Sequence, residues 1–186
     1  MRWGFKTEAN DIARQIRQEL GLRTADPLDP WRLADHLAIP VVRLRSLYTD
    51  APGAVEMFTK VDLDSFSAVT VFDGTARIIV HNDAHSRGRQ ASDIAHELAH
   101  ALLFHPPSPA LDHRGCRNWD KELEEEATWL AGALLISEEA ALMIARSGMS
   151  LEEAATKYGV TTYMVQFRLN VTGARKRVRR MRYKKH

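Results

Sequence analysis

The chain has 186 residues, 45% of them hydrophobic, and a net charge of +2. That length fits one domain with an appendage or two small domains, and that apolar share excludes disorder over most of the chain. The single cysteine, Cys116, excludes an internal disulfide framework, and the absence of a long apolar run or an apolar secretory core near residue 1 makes a cytosolic, membrane-free setting the expectation.

Residues 8–20 carry Ala9, Ile12, Ala13, Ile16 and Leu20 at helical spacing, and Gly21 is a natural stop. A turn, a short helix over residues 30–37 and a strand over 41–44 follow, the last two divided by Pro40. Residues 54–60, 66–72 and 77–81 read as strands, the latter two joined through Asp73-Gly74, a hairpin signal. A small antiparallel sheet is the economical reading.

The character then changes. Residues 94–104 are apolar on almost every side, as in a buried helix, and Pro106, Pro107 and Pro109 end it and open a loop to about residue 118. A second long helix over 119–136 begins with the acidic cluster Glu122, Glu124, Glu125 and Glu126, which also suits a helix N-terminus. Ser137 caps a helix to residue 146, Ser150 and Glu153 form a capping box for another, and Thr161 caps a last one to about 171. Residues 173–186 hold eight Lys or Arg and no acid; subtracting that +8 from the net +2 leaves −6 on residues 1–172. Such a block reads first as a solvated, mobile tail and second as a contact for nucleic acid or an acidic partner.

His96-Glu97-Leu98-Ala99-His100 carries the chemistry. On a helix, residues four apart share a face, so both imidazoles reach one ion at about 2.0–2.1 Å. Glu97 points from the neighbouring side, placed to take a proton from a water held there rather than to bind the metal. Zinc lowers the pKa of its water toward roughly 7, within reach of a carboxylate base. Two His and a Glu would be costly to bury in an apolar helix without a metal or charged partner. A catalytic zinc site takes three protein ligands and keeps one position open, and the acidic cluster is the source of the third. Glu126 lies beside the apolar stripe Leu123, Ala127, Leu130, Ala131 and Leu134 and can face inward; Glu122 sits one turn earlier on the same side, while Glu124 and Glu125 look solvent-directed. For a donor to the developing oxyanion, His81, His85, Arg89, His113 and Tyr163 are candidates, with none singled out.

The His96–His100 helix in its setting, HNDAHSRGRQASDIAHELAHALLFH, with the downstream EEEATWLAGALLIS and the leader DPLDPWRLADHLAIPVVRL, resembles the ImmA/IrrE family of metallopeptidases from about Ala9 to Val171. The resemblance implies an α+β, zincin-like fold: a small antiparallel sheet packed on a buried HExxH helix and a second, Glu-bearing helix. It implies His96, His100 and Glu126 as Zn2+ ligands, Glu97 as general base, and a regulatory protein substrate such as a DNA-binding transcriptional repressor. Ala99 stands where the family commonly has Gly, adding a methyl beside the metal; Thr128, Leu130 and Ser137 replace the usual Asn, Phe and Pro.

Residues 151–169 have a helix, a Gly-containing turn and a second helix, the outline of a helix-turn-helix, with Thr161, Thr162, Gln166 and Arg168 as polar contacts. The expected organisation is therefore a metallopeptidase domain over 1–148, a helix-turn-helix-like segment over 149–172 packed on it, and a basic tail over 173–186. A zinc-dependent endopeptidase is the leading expectation, and a DNA- or repressor-binding regulator with a structural or vestigial zinc site is the competing one.

Overall fold

The computed structural model describes residues 1–74, 76–106 and 120–183. The proline loop after the first long helix, with His113, Cys116 and the expected helix start at Trp119, lies outside the described residues, as do Lys184 and Lys185.

The chain is mixed α+β. In order come α1 (Phe5–Glu19), α2 (Pro30–His36), β1 (Val41–Arg43), a 3-10 turn (Leu44–Leu47), α3 (Pro52–Glu56) running into a π-helical turn (Met57–Val61), then β2 (Ala68–Asp73) and β3 (Ala76–His81). The C-terminal part is helical: α4 (Arg87–Leu102), α5 (Lys121–Leu135), α6 (Glu138–Ser147), α7 (Leu151–Tyr158), α8 (Thr162–Val171) and α9 (Ala174–Tyr183). No single helix among the described residues is long and apolar enough to cross a membrane.

Three expectations are corrected. Residues 54–60 form no strand: Val55 and Thr59, one helical turn apart, are the buried pair, and the Thr59 hydroxyl donates to the Val55 carbonyl at 2.6 Å. The sheet is not purely antiparallel. Its order is β1-β3-β2, with β2 antiparallel to β3 through the Asp73-Gly74 hairpin and β1 parallel to β3. Gly74 takes φ +58, which a side chain would resist. Finally, the basic block is no loose tail up to Tyr183. Ala174 and Val178 recur at helical spacing, are buried against the rest of the protein, and bring α9 onto α6.

One apolar core joins α1, α2, β3 and α4 to α8. α4 lies between the sheet and α5, and α5 is sandwiched between α4 and α1. The C-terminal end of α5 is held by two arginines with no solvent exposure. Arg17 donates to the Ala133 and Leu134 carbonyls, and Arg168 donates to that of Ile136. Cations suit a helix C-terminus; burial nonetheless pushes both guanidinium pKa values down to about 10.

The α7–α8 pair is fastened to the first turn of α4. A Cβ at Gly88 would lie 2.7 Å from the backbone carbon of Val160 and 2.9 Å from the nitrogen of Thr161. Backbone cannot move aside as a side-chain tip can. Gly88→Ala is therefore expected to destabilise by about 1–3 kcal/mol, the usual range for overpacking, and to lower Tm by roughly 2–4 °C per kcal/mol. Thermal unfolding measures it; an unchanged Tm would mean that α4 and the α7–α8 turn are not in contact.

Candidate metal centre

α4 starts at Ser86, whose hydroxyl caps it, and buries Ala91, Ile94, Ala95, Leu98 and Ala99. That spacing is one stripe, so α4 is not apolar all round: His96, Glu97 and His100 lie on the other face and are half-buried. Ala99 sits in the core stripe with no exposure. Its methyl serves packing and does not crowd the metal face.

His96 Nε2 lies 3.1 Å from His100 Nε2. Two imidazole lone pairs cannot face each other at that distance without a proton or a cation between them. The acid that completes the set is Glu124, with Oε2 at 3.0 Å from His96 Nε2 and Oε1 at 3.6 Å from His100 Nε2. The edges of a tetrahedron with arms of about 2.0–2.1 Å measure about 3.4 Å, close to the 3.1 Å between the two imidazole nitrogens. Among the described residues, these three form the group whose ligand atoms all lie within 4.8 Å of one another. Their side chains are 27%, 23% and 25% exposed, so solvent can reach all three. Hydrogen bonding to His100 and then His96 holds the Glu124 carboxyl well below the usual carboxylate range.

This differs from the expected third ligand. Glu126 is inward, at 4% exposure, but faces the N-terminal segment. It accepts hydrogen bonds from the Arg2 backbone N–H at 2.9 Å and from Arg2 Nε at 3.0 Å. Burial alone would raise its pKa, and Arg2 more than offsets that and lowers it. Glu122 and Glu125 pair with the Met1 ammonium group at 3.0 and 3.2 Å. The structure thus brings Glu124 to the histidines and gives Glu126 another partner.

Glu97 turns toward the sheet, where the Thr70 hydroxyl of β2 donates to its Oε2 at 2.5 Å. One of its two carboxylate oxygens is held by this bond. Thr70 was not legible as a site residue, since a lone threonine in a β-branched run reads as strand. His105 was missed too. Its Nδ1 lies 2.9 Å from His100 Nδ1. The signal was the end of α4: Phe104 takes φ +53, the His105 N–H donates to the His100 carbonyl at 3.0 Å, and the Phe104 N–H donates to that of Ala101 at 3.2 Å. That closing turn folds His105 back beside His100.

The oxyanion candidates are dispersed. His81 is buried in β3, its ring nearly perpendicular to that of Trp31 with centroids 6.1 Å apart. His85 is tied to Asp93 and the Leu63 carbonyl, Arg89 to Asp64 and Ser67, and Tyr163 is 78% exposed on α8.

Two histidines one turn apart and a carboxylate from a second helix form a candidate metal centre, with the Glu97 carboxylate on the same helix as the histidines. Residues 34–170 match the family model of the IrrE N-terminal-like domain, peptidase family M78, and the chain belongs to that metallopeptidase family. Neither the curated proteins nor the solved structures compared with the chain gave a match.

Proposed function

We propose that the protein is a zinc-dependent endopeptidase whose metal is held by His96, His100 and Glu124, and whose base is Glu97. The observation that carries this reading is the convergence of one ligand atom each from His96, His100 and Glu124, all within 4.8 Å of one another, with Glu97 held separately by Thr70. A structural zinc site would call for four protein ligands and no base.

Zinc, when bound, supplies the Lewis acidity that makes water nucleophilic near neutral pH and polarises the scissile carbonyl. Glu97 takes the proton of the attacking water and delivers it to the departing amine. Thr70 fixes the carboxylate in the orientation for both transfers. β2 is an edge strand of the sheet and carries Thr70, so it offers a backbone on which an extended substrate can add as a further strand. Residues 54–60, being helical, offer no such strand.

Cleavage of an unstructured peptide library by zinc-loaded protein, followed by mass spectrometry, tests the activity. Internal cuts that vanish on chelation and return with zinc are expected; a library left intact by zinc-loaded protein would contradict the reading. In the same assay, Thr70→Val should lower turnover about ten- to hundredfold, the worth of a hydrogen bond to a charged group, with zinc content unchanged. The substrate we propose is a regulatory protein, a DNA-binding repressor, cut once. Its supporting argument is the resemblance of the zinc helices and their surroundings to ImmA/IrrE proteins.

A regulator that binds nucleic acid is the second reading, and α9 favours it. Arg175, Lys176, Arg179 and Arg180 are exposed on α9, while Ala174 and Val178 are buried and Met181 is 42% exposed. An outward face of cations with a single exposed methionine suits a phosphate backbone better than a bilayer. In the helix-turn-helix reading of α7 and α8, Thr162 and Gln166 remain available. Arg168, with no exposure, drops out of the contact set, and Thr161 is the α8 cap. Fluorescence anisotropy with a labelled DNA duplex decides it: binding that weakens with salt and in Arg175→Glu/Arg180→Glu supports it, and no binding at low salt removes it.

A further inference from the structure

His100 is fastened from behind. Its Nε2 faces His96 and Glu124, and its other ring nitrogen, Nδ1, meets His105 Nδ1 at 2.9 Å. On the far side of the His105 ring, Nε2 faces Glu126 Oε2 at 3.8 Å. Glu126 is in turn held by the Arg2 amide and guanidinium. His105 is 6% and Glu126 4% exposed, and among the described residues the buried His105 Nε2 has no hydrogen-bond partner.

A histidine that binds metal through Nε2 carries its proton on Nδ1. His100 Nδ1 must then donate, and His105 Nδ1 must accept. An imidazole that accepts at Nδ1 and is neutral carries its proton at Nε2. In His105 that is the atom facing the buried carboxylate, the one place in this arrangement where an N–H is favoured. The tautomers of both rings are therefore set by one anion: Glu126 selects the His105 tautomer, and His105 selects that of His100. The alternative, Nδ1–H on His105, would turn a lone pair toward Glu126 and oppose two N–H groups across 2.9 Å.

We propose that His105, aligned by Glu126 and Arg2, is a positioning residue that fixes His100 as an Nε2 metal ligand. The inference rests on the metal site proposed above. It also accounts for why an inward acid on α5 need not be a ligand. The matched family region begins at residue 34, so the Arg2 end of this chain of contacts is supplied by a segment outside it.

The test uses full-length protein and zinc alone, with affinity measured by competition against a chromophoric chelator. His105→Leu removes the acceptor and is expected to weaken zinc binding by about 10–100-fold, the usual cost of losing a partner of a metal-bound histidine. His105→Asn places an amide oxygen near the Nδ1 position and should restore affinity to within about threefold of wild type, which a purely packing role for His105 would not do. Independently of whether the variants fold, 15N NMR of the zinc-loaded wild type should show His100 protonated at Nδ1 and His105 at Nε2. Wild-type affinity in a folded His105→Leu variant, or His105 protonated at Nδ1, overturns the proposal while leaving the metal site standing. A wild-type chain that takes up no zinc overturns both.

Discussion

Glu97→Gln is expected to keep its zinc and to lose peptide hydrolysis by about 10²–10⁴-fold, the contribution of a positioned general base. The amide is nearly isosteric and can still accept from Thr70 Oγ1, which lies 2.5 Å from Oε2 in the wild type. What it cannot do is accept a proton from water. Because Glu97 is not among the atoms that converge on the ion position, metal content and activity should separate in this variant. Elemental analysis beside a cleavage assay reads both. Loss of zinc in Glu97→Gln would make Glu97 a ligand, and full activity would leave the chemistry without its base. If the biological effect persists in the zinc-loaded variant, the binding reading based on α9 gains over the peptidase.

Glu124→Ala should be the most damaging single change to metal binding outside the two histidines. It removes one of three donors and should weaken zinc by more than about 100-fold, beyond the range typical of residues that only support a ligand. Glu126→Ala should cost no more than about 10–100-fold, because its carboxylate acts on the site through His105. The order of the two variants is the informative result. If Glu126→Ala strips the metal and Glu124→Ala keeps it, the acid facing Arg2 is the ligand after all and the α4–α5 packing is differently registered.

That ordering also marks where sequence reading ran out. The His96 and His100 spacing was legible because four residues on a helix leave no freedom about which face they share. The caps at Ser137, Ser150 and Thr161 were legible because a hydroxyl before a helix has one local job, and each accepts the backbone N–H three residues on. Which acid lies beside the two histidines was not. From Ala127 to Leu135 every residue of α5 except Thr128 is buried, since α1 covers one side and α4 the other. Proximity to an apolar stripe therefore says that Glu126 points inward and does not say toward which neighbour. Residues 54–60 misled for a related reason: a short apolar run has no period long enough to separate strand from helix, and Val55 with Thr59 decides it only once burial is known. The parallel pairing of β1 with β3 joins Val42 to Val80 across intervening helices, a contact no local pattern announces. In α9 the charges hid the helical recurrence of Ala174 and Val178.

The convergence of His96, His100 and Glu124 should hold zinc. Zinc per chain, measured by elemental analysis after purification without chelator and dialysis against buffered zinc, decides this. One zinc per wild-type chain, lost in His100→Ala, is expected. A wild-type chain that holds no zinc under those conditions would contradict it.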